Sequence, residues 1–239
     1  MYEYLLWTAI LGIIWLAAFI SIPRLRKKIL FSSLIALPFG FGELYYIPNY
    51  WRPQTLFNLG TKYHITIEAF ILMFFLGGTA AAIYESITKK RTLTKTCNNT
   101  CNTPLLTTLA ALLLLIKSFP ETNIIYLTII ALLAGGTAAF FIYPNLRQHI
   151  IIGGLLFAFF YWSTLTISEI ISPWITTTWI MKDLTGIMLG TVPLEEILFG
   201  FAFGTLWSPL YEEACASKKN KESTYSKIIN KTHKPRICA

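Results

Sequence analysis

Apolar residues in this chain come in seven runs of about 20, and that spacing leaves few folds open. At 1.5 Å per residue, a run of about 20 crosses the roughly 30 Å hydrocarbon core of a bilayer as a helix. The runs are Tyr4 to Ile22, Ile29 to Ile47, Ile65 to Tyr84, Pro104 to Phe119, Asn123 to Tyr143, His149 to Ser168 and about Gly186 to Tyr211. They use nearly all of the 239 residues, so a single all-α membrane domain of seven transmembrane helices is expected. Only 13% of the residues are charged, against about 25% in an ordinary soluble domain, which excludes a water-soluble globule. The first run has no basic residue before it and Arg24, Arg26, Lys27 and Lys28 after it. A cleaved signal peptide carries its positive charge first, so this run is expected to remain as a span.

The net charge of +8 would raise nucleic acid as a partner in a soluble protein, but here it reads as an orientation signal. With the N-terminus outside, 16 Lys and Arg fall on the inner side, among them Lys89, Lys90, Arg91, Lys95, Arg147 and seven in the tail. Four fall on the outer side: Arg52, Lys62, Lys117 and Lys182. That asymmetry predicts a multi-pass protein of the cell membrane, N-terminus outside and C-terminus cytoplasmic, with the bilayer and not nucleic acid as its surroundings. Cys97, Cys101, Cys215 and Cys238 then all lie in a reducing compartment as free thiols, and no metal site is expected from them. The sequons at Asn98 and Asn230 share that side, so glycosylation is not expected.

Ionisable groups inside spans are costly and are candidates for function. Glu43, Glu68, Glu169, Glu195 and Glu196 fall in or at the ends of apolar runs, with Asp183 just outside one, and the topology puts all six on the outer half. Glu43 and Glu169 lie near span ends, where a side chain also reaches the interface by snorkelling. Glu195 and Glu196 point about 100° apart on a helix and cannot both escape to water. Two acids sharing a desolvated site divide the work of donating and accepting a proton. Phe199, Phe201 and Phe203 follow, and aromatic faces stabilise a developing cation, although Phe also simply fills membrane helices.

Two regions resemble each other. Glu43 to Trp51, then Asn58, Gly60 and Thr66-Ile67-Glu68-Ala69, parallels Glu169 to Trp174, then Trp179, Gly186, Gly190 and Pro193-Leu194-Glu195-Glu196. Acid-to-acid spacing is 25 in one and 26 in the other; from Trp51 to Glu68 it is 17 and from Trp179 to Glu195 it is 16. Two parallel three-helix repeats with a connecting helix are therefore expected, with a shared site between them. The first repeat is 1–85 with an outer loop 48–64, the basic loop and connecting span are 86–122, the second repeat is 123–213, and 214–239 is a basic tail expected to be disordered. The string Gly-Gly-Thr-Ala-Ala, at 77–81 and 135–139, does not follow this register and reads as small-residue helix packing.

The Trp-bearing outer loop, the Gly, and then Pro193-Leu194-Glu195-Glu196-Ile197-Leu198-Phe199, in a duplicated seven-span chain, resemble the lycopene cyclase domain of the non-flavin, membrane-integral type. The first half departs from the motif at Thr66, where Pro is usual, and at Ala69, where the second acid is usual. The resemblance implies a lycopene β-cyclase of carotenoid biosynthesis, an isomerase (intramolecular lyase). A carboxylic acid protonates the terminal double bond of a linear carotene, the chain closes on the cation, and proton loss leaves a β-ionone ring. It implies no cofactor, and no Gly-x-Gly-x-x-Gly nucleotide motif occurs. By the same resemblance Glu195 or Glu196 is the proton donor, Glu68 its partner or a cation stabiliser, and Glu43 a secondary catalytic candidate. Trp51, Asn58, Trp179, Pro193 and Phe199 are the substrate-binding candidates, the partners being a lipid-soluble carotene and, around it, other carotenoid enzymes.

Other readings compete. A small transporter of three, one and three spans shares the plan, but the inner halves lack polar residues to line a path. A seven-span retinal photoreceptor needs a Lys in its last span, and Gly186 to Tyr211 has none. A cyclase of another isoprenoid would use the same paired acids.

Overall fold

A computed structural model describes residues 3–90 and 103–214. The sequence expectations for the segment around Cys97 and Cys101 and for the tail beyond Ala214 lie outside the described residues. The described chain is helical almost throughout. Helix α1 (Glu3–Ser21) ends two residues before Pro23, which disfavours helical backbone in the residue ahead of it. A 3₁₀ turn, Pro23–Leu25, leads into α2 (Arg26–Ala36), where Pro38 removes a backbone donor. The chain tightens to a 3₁₀ stretch, Leu37–Gly42, before α3 (Glu43–Tyr46). A short α4 (Leu59–Tyr63) precedes α5 (Ile67–Thr88), whose N-cap Thr66 accepts the Ala69 amide at 3.0 Å. Helices α6 (Thr103–Ser118) and α7 (Ile124–Ile142) form a hairpin, with the Asn123 side chain capping α7.

After a second 3₁₀ turn, Pro144–Leu146, comes α8 (Arg147–Ile171), then the short α9 (Ile175–Thr178). Strands β1 (Met188–Leu189) and β2 (Val192–Pro193) pair as a small antiparallel hairpin. The last helix, α10 (Leu194–Trp207), starts at Leu194, so the run expected as a span from Gly186 is not helical over its first eight residues. Gly186 (φ 76°) and Gly190 (φ 68°) turn the chain there with positive dihedrals that only glycine adopts freely.

Among the described residues, five helical stretches are long and apolar enough to cross a membrane: Glu3–Ser21, Pro23–Tyr46, Ile67–Thr88, Ile124–Ile142 and Pro144–Ile171. Helix α6 is apolar but shorter, with 16 residues, and α10 has 14. Large apolar side chains stand exposed along the outer helix faces, including Ile13, Leu16, Leu113, Leu114 and Phe159. A soluble monomer does not leave that much contiguous apolar surface in water, whereas lipid solvates it.

Two sets of helices pack in a similar way. Helix α5 lies against α2 and α1, as α10 lies against α8 and α7, and α6 packs on α7 alongside. The two proline turns match closely: Arg26 Nε donates to Phe19 O at 2.8 Å with its guanidinium over the Phe19 ring, and Arg147 Nε donates to Phe140 O at 3.0 Å with its guanidinium over Phe140. The Gly-Gly pairs sit at helix crossings. A Cβ on Gly77 would lie 2.3 Å from that of Ala36, and one on Gly135 would lie 1.9 Å from Thr108 Oγ1. Both proline turns are at one end of the bundle, here the junction end. Loops 47–66 and 172–193 are at the other, the loop end.

Candidate functional site

At the loop end the two Trp-bearing segments cross. Trp51 and Trp179 form an isolated antiparallel bridge, with Arg52 N donating to Thr178 O and Ile180 N to Tyr50 O, both at 2.9 Å. The rings pack beneath: Trp51 lies 4.6 Å from Tyr4, edge to face, and 5.3 Å from Trp179, tilted against it, centroid to centroid. Below this cover is a cavity of about 170 Å³, walled by apolar and aromatic side chains from both halves, with two carboxyl groups on its surface, Glu43 and Glu196.

Each acid is positioned by its element. Glu43 opens α3 right after the 3₁₀ stretch; its Oε1 accepts the Tyr4 hydroxyl at 3.0 Å and its Oε2 the Thr66 hydroxyl at 3.2 Å. Glu196 sits in the first turn of α10 and receives three donors: the Tyr50 hydroxyl, Trp179 Nε1 at 2.9 Å and the Tyr161 hydroxyl at 2.9 Å. Burial, with the Glu196 carboxylate against it, holds the Tyr50 hydroxyl well above the ordinary tyrosine range, so this loop residue stays a donor. Both acids are buried, and no Lys or Arg of the described residues lies within ion-pair distance of either.

The other candidate acids are buried but face elsewhere. Glu195 Oε1 accepts the Thr185 amide at 2.7 Å and the Tyr126 hydroxyl at 2.9 Å. Glu68 Oε1 accepts the Leu56 amide at 2.6 Å, and Glu169 Oε2 accepts the amides of Trp174 and Ile175 at 2.8 and 2.9 Å. All three tie loop backbone to a helix end and lie off the cavity wall. Thr66 and Pro193 are both helix N-caps, which makes Glu68 and Glu195 equivalent, each holding its own loop. Ala69 and Glu196 then hold matching positions too, and both line the cavity; where α5 carries Ala69, Glu43 brings a carboxyl to the same space. Of the substrate-binding candidates, Trp51, Trp179 and Phe199 line the cavity. Asn58 is exposed in a left-handed turn, Pro193 is buried in the β-hairpin, and Asp183 is exposed.

Tyr4, Tyr50 and Tyr161, which supply the hydroxyl donors, were not legible as site residues, because a Tyr in an apolar run carries no positional signal. A second buried ionic group also escaped the sequence reading. At the junction end Lys28 Nζ lies 2.6 Å from Glu212 and 3.4 Å from Glu85, with Glu213 buried beside them in sequence. Lys28 and Glu85 stand next to basic loops and Glu212 next to the tail, so each reads as solvated in the sequence.

Residues 123–214, which carry α7 to α10, match the family described as lycopene cyclase. No curated protein and no solved structure matches the chain.

Proposed function

We propose, supported by the match of residues 123–214 to the lycopene cyclase family, that this chain closes the ends of linear lycopene into β-ionone rings within the membrane, with no redox change. The cavity carries this reading: two carboxyl groups stand on an otherwise apolar, aromatic wall, the surroundings that a proton transfer to a hydrocarbon requires. Glu43 is the proton donor. Its neighbours Tyr4 and Thr66 are hydroxyls, which accept as well as donate and therefore accommodate a protonated carboxyl. Glu196 is the carboxylate. Trp179 can only donate to it, and Tyr50 and Tyr161 add two more donors, so both of its oxygens are held as acceptors.

The Glu43 proton adds to the terminal double bond and leaves a tertiary cation. The next double bond in reach attacks that carbon, closes the ring and moves the charge onto a ring carbon. Glu196 removes a ring proton and the β-ionone double bond forms. One proton enters and one leaves, so substrate and product are isomers and the reaction is that of an intramolecular lyase. Trp51, Trp179 and Phe199 face the passing charge with their ring quadrupoles.

The proposed architecture is seven spans, with α6 and α10 crossing alongside the five longer stretches, as two parallel repeats, 1–85 and 123–213, joined through 86–122. The matched proline turns, the equivalent N-caps and the Trp51–Trp179 bridge support the repeat. In this arrangement the protein lies in the cell membrane, its N-terminus and loop end outside and its C-terminus in the cytoplasm. Expression in a lycopene-accumulating bacterium tests the function by chromatography of the pigments. Bicyclic or monocyclic β-ring products are expected; unchanged lycopene with the protein well inserted overturns it.

A further inference from the structure

A cavity of about 170 Å³ is smaller than the roughly 300–1,000 Å³ of sites that enclose a drug-sized ligand, and a carotene is larger than such a ligand. The cavity therefore holds one end group, and the rest of the polyene has to leave it somewhere. Most of the wall is sealed: Tyr4, Trp7, Leu76, Ile125, Tyr161 and Trp207 are buried. The partly exposed wall residues are Phe39, Gly42 and Tyr46 along the 3₁₀ turn and α3, Leu112 of α6 and Thr128 of α7 opposite them, and, singly on their helices, Met73 of α5 and Phe199 of α10; the turn side and the α6–α7 side hold five of the seven. The Tyr46 hydroxyl donates to Thr128 Oγ1 at 2.8 Å and joins the two sides near the loop end. Thr128 is about one turn into α7, which puts the opening inside the end of that apolar helix, and Leu132, a turn deeper and buried, closes the wall below it.

Glycine has different reasons at the two positions of this turn. A Cβ on Gly40 would come within 2.8 Å of the Phe70 ring, so Gly40 serves packing. A Cβ on Gly42 would meet only the Tyr46 ring at 3.9 Å, an ordinary contact, so packing does not demand glycine there. What its missing side chain leaves free is space on the cavity wall.

Resting on the carotenoid-cyclase reading, we infer that the polyene enters and leaves sideways through a slot between the Leu37–Gly42 turn and α6–α7, that its far end stays in the lipid while one end group reacts, and that Gly42 sets the width of the slot. Each end is then cyclised in a separate visit.

The test uses the full-length protein in lipid vesicles. An acyclic carotene whose far end already carries a ring or a bulky cap is expected to react, per linear end, as fast as the uncapped one; loss of reaction with the capped substrate overturns the slot. Gly42→Leu and, from the opposite wall and away from either acid, Leu112→Trp are each expected to lower turnover at least about tenfold, the size of a misfit of a few methylenes in an apolar pocket. Leu16→Trp, on the exposed face of α1, is the control and is expected to leave turnover unchanged. Should Gly42→Leu fail to fold, Leu112→Trp decides alone. Full turnover in the folded slot variants overturns the slot while leaving the cyclase reading in place; a wild-type protein that converts no acyclic carotene overturns both.

Discussion

At the junction end Lys28 lies 2.6 Å from Glu212 and 3.4 Å from Glu85; at the loop end Glu43 and Glu196 are just as deeply buried and meet hydroxyls and an indole instead of a cation. Exposure does not separate the two groups, since Glu85 and Glu212 are 5% and 4% exposed, and Glu43 and Glu196 7% and 4%. What separates them is the partner and the space. A carboxylate paired with a buried ammonium has its charge answered inside the protein and is chemically idle. A carboxyl surrounded by neutral donors beside a cavity leaves the positive charge to be supplied from outside, and in the proposed reaction the carbocation formed in that cavity supplies it. Burial of an acid in a membrane protein is thus weak guidance to function until its partner is known.

The contrast breaks most sharply on the two cavity acids. Glu196→Gln and Glu43→Gln should each cut cyclisation by about 10²–10⁴, the usual contribution of a positioned acid or base, with the protein still inserted and its unfolding midpoint unchanged. Pigment chromatography beside thermal unfolding in detergent measures both; full activity in either variant would remove that residue from the chemistry. Lys28→Met should do the reverse. It strands Glu85 and Glu212 without their cation, at a cost of about 3–5 kcal/mol of stability, while whatever folded protein remains turns over substrate at the wild-type rate per molecule. The smallest effect is expected for Glu195→Gln. It weakens a charge-assisted hydrogen bond to the Thr185 amide, worth about 1.5–3 kcal/mol, and should loosen the 184–193 loop, read as faster hydrogen exchange there. A loss of turnover equal to that of Glu196→Gln would put Glu195 back at the centre of the mechanism.

Hydropathy alone placed α1, α5, α6 and α7 to within a few residues, because lipid-length apolar runs bounded by Pro, Asn or Thr leave the backbone little choice. It misread the start of the last helix, since Ile187, Met188, Leu189 and Val192 are as apolar in a hairpin as in a helix, and only the two glycines mark the turn. The tandem Glu195-Glu196 was visible as a pair. Which of the two faces the cavity was not, because that depends on how α10 is rotated against α7 and α8. Glu43 looked able to snorkel outward, and it is Pro38, by tightening the turn ahead of α3, that precedes its inward placement.

The Lys28–Glu212 contact also bears on how the molecule is made. The two residues are 184 positions apart, so Lys28, which meets Glu85 57 residues on, waits far longer for its closer partner. Tyr50 likewise waits 146 residues for Glu196, and Trp7 waits 157 for Thr164. A chain interrupted before Tyr211 therefore holds Lys28 by the 3.4 Å contact to Glu85 alone and lacks the closer 2.6 Å contact, so a buried ammonium is left only partly answered, which is costly in lipid. The segment from α10 to Glu212 supplies that closer contact and also brings Glu196 to the cavity wall, so the two ends of the bundle are completed by the same stretch of chain.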